Sequence, residues 1–163
     1  MFYLDAAATA PLRPEARRAM LAVLDRGPGN ASAVHTPGKT AKATLNQARQ
    51  QVARAFGARE SEVVFTAGGT EANNLALKGI ATAQPRGKHI VTTEIEHSSI
   101  RKSCEFLAWF GGFEITEIGV DAMGRVDEAA AIAAIRADTT LVSIGLANGE
   151  IGDVDHLLHF AVA

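Results

Sequence analysis

The sequence has 163 residues, of which 47% are hydrophobic and 21% are charged, and its formal net charge is -2 at pH 7. This composition is typical of one globular domain and excludes a disordered chain, while the small net charge gives no reason to expect nucleic acid or an anionic membrane as a partner. A single cysteine excludes an internal disulfide framework, and the lack of a membrane-length apolar run or a signal-like N-terminus predicts a cytoplasmic protein.

The chain begins with a predicted extended arm. Pro11 and Pro14 interrupt a run of small residues that would otherwise favour a helix. Proline suits the first turn of a helix, so a helix is expected to start near Pro14 and to stop at Gly27-Pro28-Gly29. These signals predict an arm over residues 1–15, followed by one domain over residues 16–163.

Helical and strand patterns alternate over the rest of the chain. Apolar residues at helical spacing predict helices, and short runs rich in β-branched residues predict strands. In chain order we predict a helix at 39–56, a strand at 62–66, a helix at 70–82, a strand at 89–95, a helix at 98–110, a strand at 113–120, a helix at 127–137, a strand at 141–147 and a last helix from Asp155. This alternation favours a layered α/β fold with a mainly parallel sheet.

The turn Gly68-Gly69-Thr70 joins a predicted strand to a predicted helix. Glycines allow a ligand to approach the backbone, and the free N–H groups of a first helical turn favour an anion such as a phosphate. The same residues also fit an ordinary strand-to-helix turn in which Thr70 caps the helix. Taken alone, this segment leaves both interpretations open.

Two further polar segments follow predicted strands, at the end where open α/β sheets bind ligands. In Glu96-His97-Ser98, the histidine can stack on a planar ring, transfer protons or simply lie in a surface turn, and Ser98 is predicted to cap the next helix. Asn148-Gly149-Glu150 can hold a ligand or form an ordinary turn.

Three other patterns are assigned no function. Residues 33–40 differ from a P-loop because Ala33 replaces its first glycine and a loop, rather than a buried strand, precedes them. His156 and His159 have no third ligand nearby, so no metal site is predicted. Cys104 shares a helical face with apolar residues and is predicted to be a core residue.

Five ordered motifs resemble the start of the pyridoxal-phosphate (PLP) dependent cysteine desulfurases, within the class V aminotransferase group. The motifs are residues 3–11, 29–35, 65–74, 96–99 and 148–152. The resemblance implies a partial type I PLP-dependent transferase large domain behind the N-terminal arm, and a homodimer. It also implies an amino-acid substrate, with removal of sulfur from cysteine to give alanine, and a connection to iron–sulfur cluster assembly.

The resemblance also implies roles for individual residues. Gly69 and Thr70 would hold the phosphate of PLP. His97 would stack on the pyridine ring and assist proton transfer, and Asn30 would lie near the substrate. Gly149 departs from the family pattern, which usually has an asparagine there that meets the ring hydroxyl of the cofactor.

Two groups that PLP chemistry needs are not placed by these motifs: a lysine for covalent attachment and an acidic partner for the pyridine nitrogen. In the family both come later in the chain, as does a cysteine on a mobile loop. The lysines here lie on predicted helices or in a loop before a strand; they are Lys39, Lys42, Lys78, Lys88 and Lys102. We therefore expect the N-terminal portion of a desulfurase that is inactive by itself and pairs with a second copy or a complementary C-terminal chain. The alternative is a non-catalytic remnant or interaction module of the same fold.

Overall fold

The computed structural model describes residues 2–6, 8–83 and 86–150. Two compact units divide the chain, Met1–Phe65 and Thr66–Ala163. The helix predicted from Asp155 lies outside the described residues, and the predicted division after residue 15 stays a prediction. In the described ranges, no helix combines the length and hydropathy needed to cross a bilayer.

The first unit contains two helices and a short 3-10 turn. They are α1 (Pro14–Leu24), α2 (Thr36–Ala55) and the turn Glu60–Glu62. The predicted start of the first helix at Pro14 is confirmed. His35 caps α2, because its side chain accepts a hydrogen bond from the Gly38 N–H at 3.3 Å. Among the described residues of this unit, only Gly38 and Ala53 are buried.

The strand predicted at residues 62–66 is wrong. Val63 is extended, with φ -96° and ψ 120°, but no described strand pairs with this segment. Instead, Arg49 Nε donates to the Val63 carbonyl at 3.3 Å, and the Arg49 guanidinium lies 5.4 Å from the centre of the Phe65 ring. The β-branched pattern predicts an extended backbone, whereas a strand also needs a neighbour that completes the hydrogen-bond ladder.

The second unit is a layered α/β fold. Its elements are α3 (Gly69–Ala83), β1 (His89–Thr93), α4 (Ser98–Gly111), β2 (Glu114–Ile118), α5 (Glu128–Ala133) and β3 (Thr139–Val142). The described strands have the order β2-β1-β3, and both pairings are parallel. The predicted layered α/β fold with a mainly parallel sheet is therefore confirmed.

The central strand is buried on both faces, which explains its continuous run of β-branched residues. Ile90 belongs to a core cluster with Leu77 of α3 and Leu107 of α4. Val91, the next residue, points to the opposite face and packs in a second cluster with residues that include Ala131 of α5. Helices therefore cover both sides of β1.

Buried and half-buried polar side chains join the three strands near their amino ends. His89 is fully buried, with Nδ1 2.8 Å from Thr139 Oγ1 and Nε2 2.8 Å from Thr116 Oγ1. The hydroxyl of Thr140 donates to the Gly87 carbonyl at 2.8 Å and accepts the Gly87 N–H at 3.1 Å. These bonds satisfy polar groups that would be costly to bury unpaired.

A β-bulge interrupts the pairing of β1 with β3. His89 pairs with Thr139, but Ile90 pairs with Leu141, so Thr140 is an extra residue on β3. A bulge of this kind shifts the register of all the residues that follow it.

Candidate functional site

The candidate site lies where strands end and helices begin. Four residues separate the end of β1 from the start of α4, at the carboxyl edge of the sheet. Asn73, one turn into α3, donates from Nδ2 to Ser99 Oγ in the first turn of α4 at 2.8 Å. The first turns of α3 and α4 therefore lie side by side at this edge, which is where open parallel sheets bind ligands.

The start of α3 differs from the prediction that Thr70 caps it. The helix begins at Gly69, so Thr70 is already the second helical residue. Glu71 reaches back across the start of the helix, where its Oε2 accepts the Ala67 N–H at 2.7 Å. This carboxylate satisfies a backbone donor upstream, and the helix can begin one residue before the threonine.

The backbone at the start of α3 is open. A Cβ atom built on Gly68 or Gly69 would meet no atom within 4 Å, and both glycines and Thr70 are exposed. The first N–H groups of an α-helix have no partner within the helix and carry the positive end of its dipole. We refer to residues 68–70 as the α3 anion site.

The start of α4 also differs from the prediction, because His97 rather than Ser98 is the cap. His97 Nδ1 accepts the Ser99 N–H at 3.1 Å and lies 2.8 Å from Ser99 Oγ. The lone pair of the ring nitrogen supplies the acceptor that a serine hydroxyl usually provides. Ser98 is the first helical residue and is exposed.

The loops after β1 and β3 are tied together by two side chains. Glu96 Oε1 accepts hydrogen bonds from Thr93 Oγ1 at 2.9 Å and from the Gly145 N–H at 2.7 Å. Asn148 Nδ2 donates to the Ile95 carbonyl at 2.9 Å. These contacts place Asn148 against the loop that carries His97. The sequence did not predict these contacts of Glu96. Gly145 is 49 residues away in the chain, and the bond from Thr93 depends on the geometry of the turn.

Three of the four predicted site residues belong to the same compact unit. Gly69, Thr70 and His97 lie in the second unit, at the two neighbouring helix starts. Asn30 lies in the first unit, where its Oδ1 accepts the Ser32 N–H at 2.9 Å. The binding roles of all four residues stay predictions.

The three lysines of the second unit have contacts away from the α3 anion site. Lys78 Nζ lies 4.3 Å from the centre of the Phe106 ring. Lys88 precedes β1, at the opposite edge of the sheet, and donates to the Gly111 carbonyl at 2.8 Å. The third lysine, Lys102, forms an exposed ion pair with the carboxylate of the residue three positions later, at 2.7 Å.

Cys104 is a core residue, as predicted. Its side chain is 2% exposed and packs in the cluster between β1 and the helices α3 and α4. Burial raises the pKa of the Cys104 thiol to about 11, with a smaller contribution from the charge of Glu117. A thiol in this environment is a poor nucleophile. Within the described residues, no group of three or more potential ligands is arranged to hold a metal ion.

Comparison with known proteins identifies the family of the chain. The sequence profile of the family Aminotransferase class-V matches residues 2–162. The chain belongs to this family. The cysteine desulfurase IscS of Dictyoglomus turgidum is 46% identical over 154 residues, which cover 94% of this chain and 39% of that protein. The human cysteine desulfurase is 43% identical over 152 residues, which cover 92% of this chain and 33% of that protein.

Solved structures give the same result for the fold. A structure described as SspA in complex with cysteine matches with a TM-score of 0.86 and 35% identity, over 94% of this chain and 44% of the other. A NifS-like protein matches with a TM-score of 0.87 and 32% identity, over 93% and 42%. The chain thus spans about two fifths of the length of these relatives. It corresponds to the N-terminal part of a cysteine desulfurase-like protein, as the motifs predicted.

Proposed function

We propose that this chain is the phosphate-binding, N-terminal part of a PLP-dependent cysteine desulfurase that acts on L-cysteine in the cytoplasm as a dimer. The family and the relatives named above support this activity, and one of those relatives was solved with cysteine bound. The observation that carries the proposal is the hydrogen bond between Asn73 and Ser99. It supports the proposal because it joins the helix that starts at Gly69 to the helix that His97 caps.

The residues at this edge fit the cofactor in part. The first N–H groups of α3 and the hydroxyl of Thr70 would hold the phosphate, and the space beside Gly69 is open to it. His97, exposed at the start of α4, would lie against the pyridine ring. The carboxylate of Glu71 faces the Ala67 N–H and so leaves the N–H groups of Gly69 and Thr70 to an incoming anion.

When bound, PLP would supply an electron-withdrawing ring for chemistry next to the amino nitrogen of the substrate. The protein would bind the cofactor and orient it. The α3 anion site would hold one end of the cofactor, and the loop carrying His97 is held by Glu96 and Asn148 through the backbone of neighbouring segments. Such fixed groups lower the entropic cost of reaching the reactive geometry.

We further propose that the chain is catalytically incomplete alone. Covalent attachment of the cofactor needs an uncharged amine close to the bound aldehyde. Lys78, Lys88 and Lys102 are each engaged elsewhere, by a ring, a carbonyl and a carboxylate respectively. We propose that a second chain or a C-terminal portion provides the lysine.

Binding of pyridoxine 5'-phosphate tests the anion site. This analogue has no aldehyde, so it does not react with exposed lysines. Contacts with a helix N-terminus and charge-assisted hydrogen bonds together predict about 10- to 100-fold tighter binding than for pyridoxine, which lacks the phosphate. Isothermal calorimetry on the full chain measures both affinities.

The variant Thr70→Ala should reduce this preference for the phosphate several-fold. Thr82→Ala is the matched control: Thr82 lies at the other end of α3, where its hydroxyl donates to the Lys78 carbonyl at 2.6 Å, and its loss should leave the preference unchanged. Equal affinities for the two ligands would contradict the phosphate-binding role of Gly69 and Thr70.

The second candidate function is a non-catalytic module that binds a complementary chain. The edge of β3 favours it, because β3 pairs with β1 on one side and with no described strand on the other. An open strand edge can pair with another chain. A reading frame that encodes a lysine-bearing C-terminal half, and whose product co-purifies with this chain and restores desulfurase activity, would favour a split enzyme. Co-purification without activity would favour the module.

A further inference from the structure

Both donors that approach Nδ1 of His97 come from Ser99. The backbone N–H of Ser99 lies 3.1 Å from this nitrogen, and the hydroxyl oxygen lies 2.8 Å from it. A backbone N–H can only donate a hydrogen bond. Nδ1 must therefore carry a lone pair, and the proton of the neutral ring must be on Nε2.

Asn73 reinforces this arrangement from the neighbouring helix. Its Nδ2 donates to Ser99 Oγ at 2.8 Å and so occupies a lone pair of the hydroxyl oxygen. The hydroxyl proton is then left for His97 Nδ1, which is the acceptor next to it. Ser99 is only 7% exposed, so water has little access to compete for the hydroxyl.

The helices α3 and α4 hold the hydrogen-bonded chain of Asn73, Ser99 and His97 in place. Ser103 Oγ donates to the Ser99 carbonyl at 2.8 Å and is itself buried. Asn73 is one turn into α3, and Ser99 is in the first turn of α4, so neither group can move without its helix. A side chain held by packed elements is a precise support for a functional group.

We infer that Ser99 and Asn73 are positioning residues that fix His97 as the Nε2–H tautomer. In this state the exposed edge of the ring presents an N–H donor and no lone pair. The inference rests on the proposed function for its ligand: His97 would donate a hydrogen bond to an acceptor atom, such as a carboxylate or hydroxyl oxygen of the bound cofactor or amino acid. It would not take a proton at Nε2, because that nitrogen already carries one.

The tautomer can be measured directly, without cofactor or activity. The full chain is labelled with [15N]histidine, sedimented, and studied at mildly alkaline pH by magic-angle-spinning NMR. This method tolerates self-association of the protein. The sequence has five histidines, so the variant His97→Gln identifies the His97 signals by difference. We expect the chemical shift of an unprotonated nitrogen for Nδ1 and that of a protonated nitrogen for Nε2.

Variants then separate positioning from general structural effects. Ser99→Ala should shift the Nδ1 signal toward the averaged value of exchanging tautomers, Asn73→Ala should give a smaller shift in the same direction, and Ser99→Thr should restore the original signal. Ser98→Ala removes an exposed hydroxyl one residue away and should change nothing. Failure of pyridoxine 5'-phosphate to bind would count against the proposed function alone. A protonated Nδ1 in the unmodified chain, or a Ser99→Ala spectrum identical to it, would overturn the tautomer assignment.

Discussion

Truncating Leu107 should weaken the second unit severely, because α4 rests on the sheet through this side chain. Leu107 is 1% exposed and belongs to the core cluster that contains Ile90 and Leu77. Replacing a fully buried leucine by alanine costs about 2–5 kcal/mol, since it removes buried methyl groups and leaves a cavity. With a typical free energy of unfolding of about 5–15 kcal/mol, the variant loses a large share of its stability.

Urea denaturation followed by circular dichroism measures this loss. A cost of about 3 kcal/mol and a denaturant dependence of roughly 1–3 kcal/mol per M predict a midpoint lower by about 1–3 M for Leu107→Ala. Both proteins must be compared at one concentration, because self-association changes the apparent stability.

Leu75→Ala is the matched control for this measurement. It makes the same chemical change on α3, at a side chain that is 52% exposed, and should alter stability by no more than about 0.5 kcal/mol. If the two variants had the same urea midpoint, the packing of α4 onto β1 through Leu107 would be refuted.

Two further predictions concern the lysines and the sheet edge. Incubation of the chain with PLP, followed by borohydride reduction and peptide mass spectrometry, should give scattered partial labelling of exposed lysines and no alanine from cysteine. Stoichiometric labelling of one lysine together with alanine production would contradict the proposed incompleteness. The open edge of β3 and the exposed aromatic side chains of Trp109 and Phe110 should make the isolated chain oligomeric or poorly soluble. Light scattering that found a monomer at high concentration would exclude this.

The sequence predicted best those features that depend on a pattern of neighbouring residues. β1 was predicted as a strand from its threonine, valine and isoleucine residues, and Asp127 caps α5 by accepting the Ala130 N–H at 2.9 Å, as its position before an alanine-rich segment indicated. Both features depend on residues that are neighbours in the chain. The strand at 62–66 failed because its side chains fit a strand but no described neighbour completes a ladder there.

The sequence singled out residues that the structure places at two neighbouring helix starts, but it did not predict the contacts between those starts. The motifs singled out Gly69, Thr70 and His97, yet they gave Ser98 the capping role because serine is the usual cap and histidine is not. The bond between Asn73 and Ser99 spans 26 residues and exists only because two helices pack side by side. Contacts of this kind are set by the tertiary structure and leave no local pattern in the sequence.

The single extra residue in β3 leaves the later residues of the strand in regular pairing with β1. Leu141 packs toward α3 and α4, whereas Val142 and Ile144 pack toward α5. Deleting Thr140 would remove the bulge, and, with the His89 pairing kept, Leu141 would still pair with Ile90 and Val142 with Val91, so the following side chains would keep their faces. The threonine is therefore an insertion that leaves the two hydrophobic layers as they are, and its loss would remove the two hydrogen bonds between its hydroxyl and the backbone of Gly87.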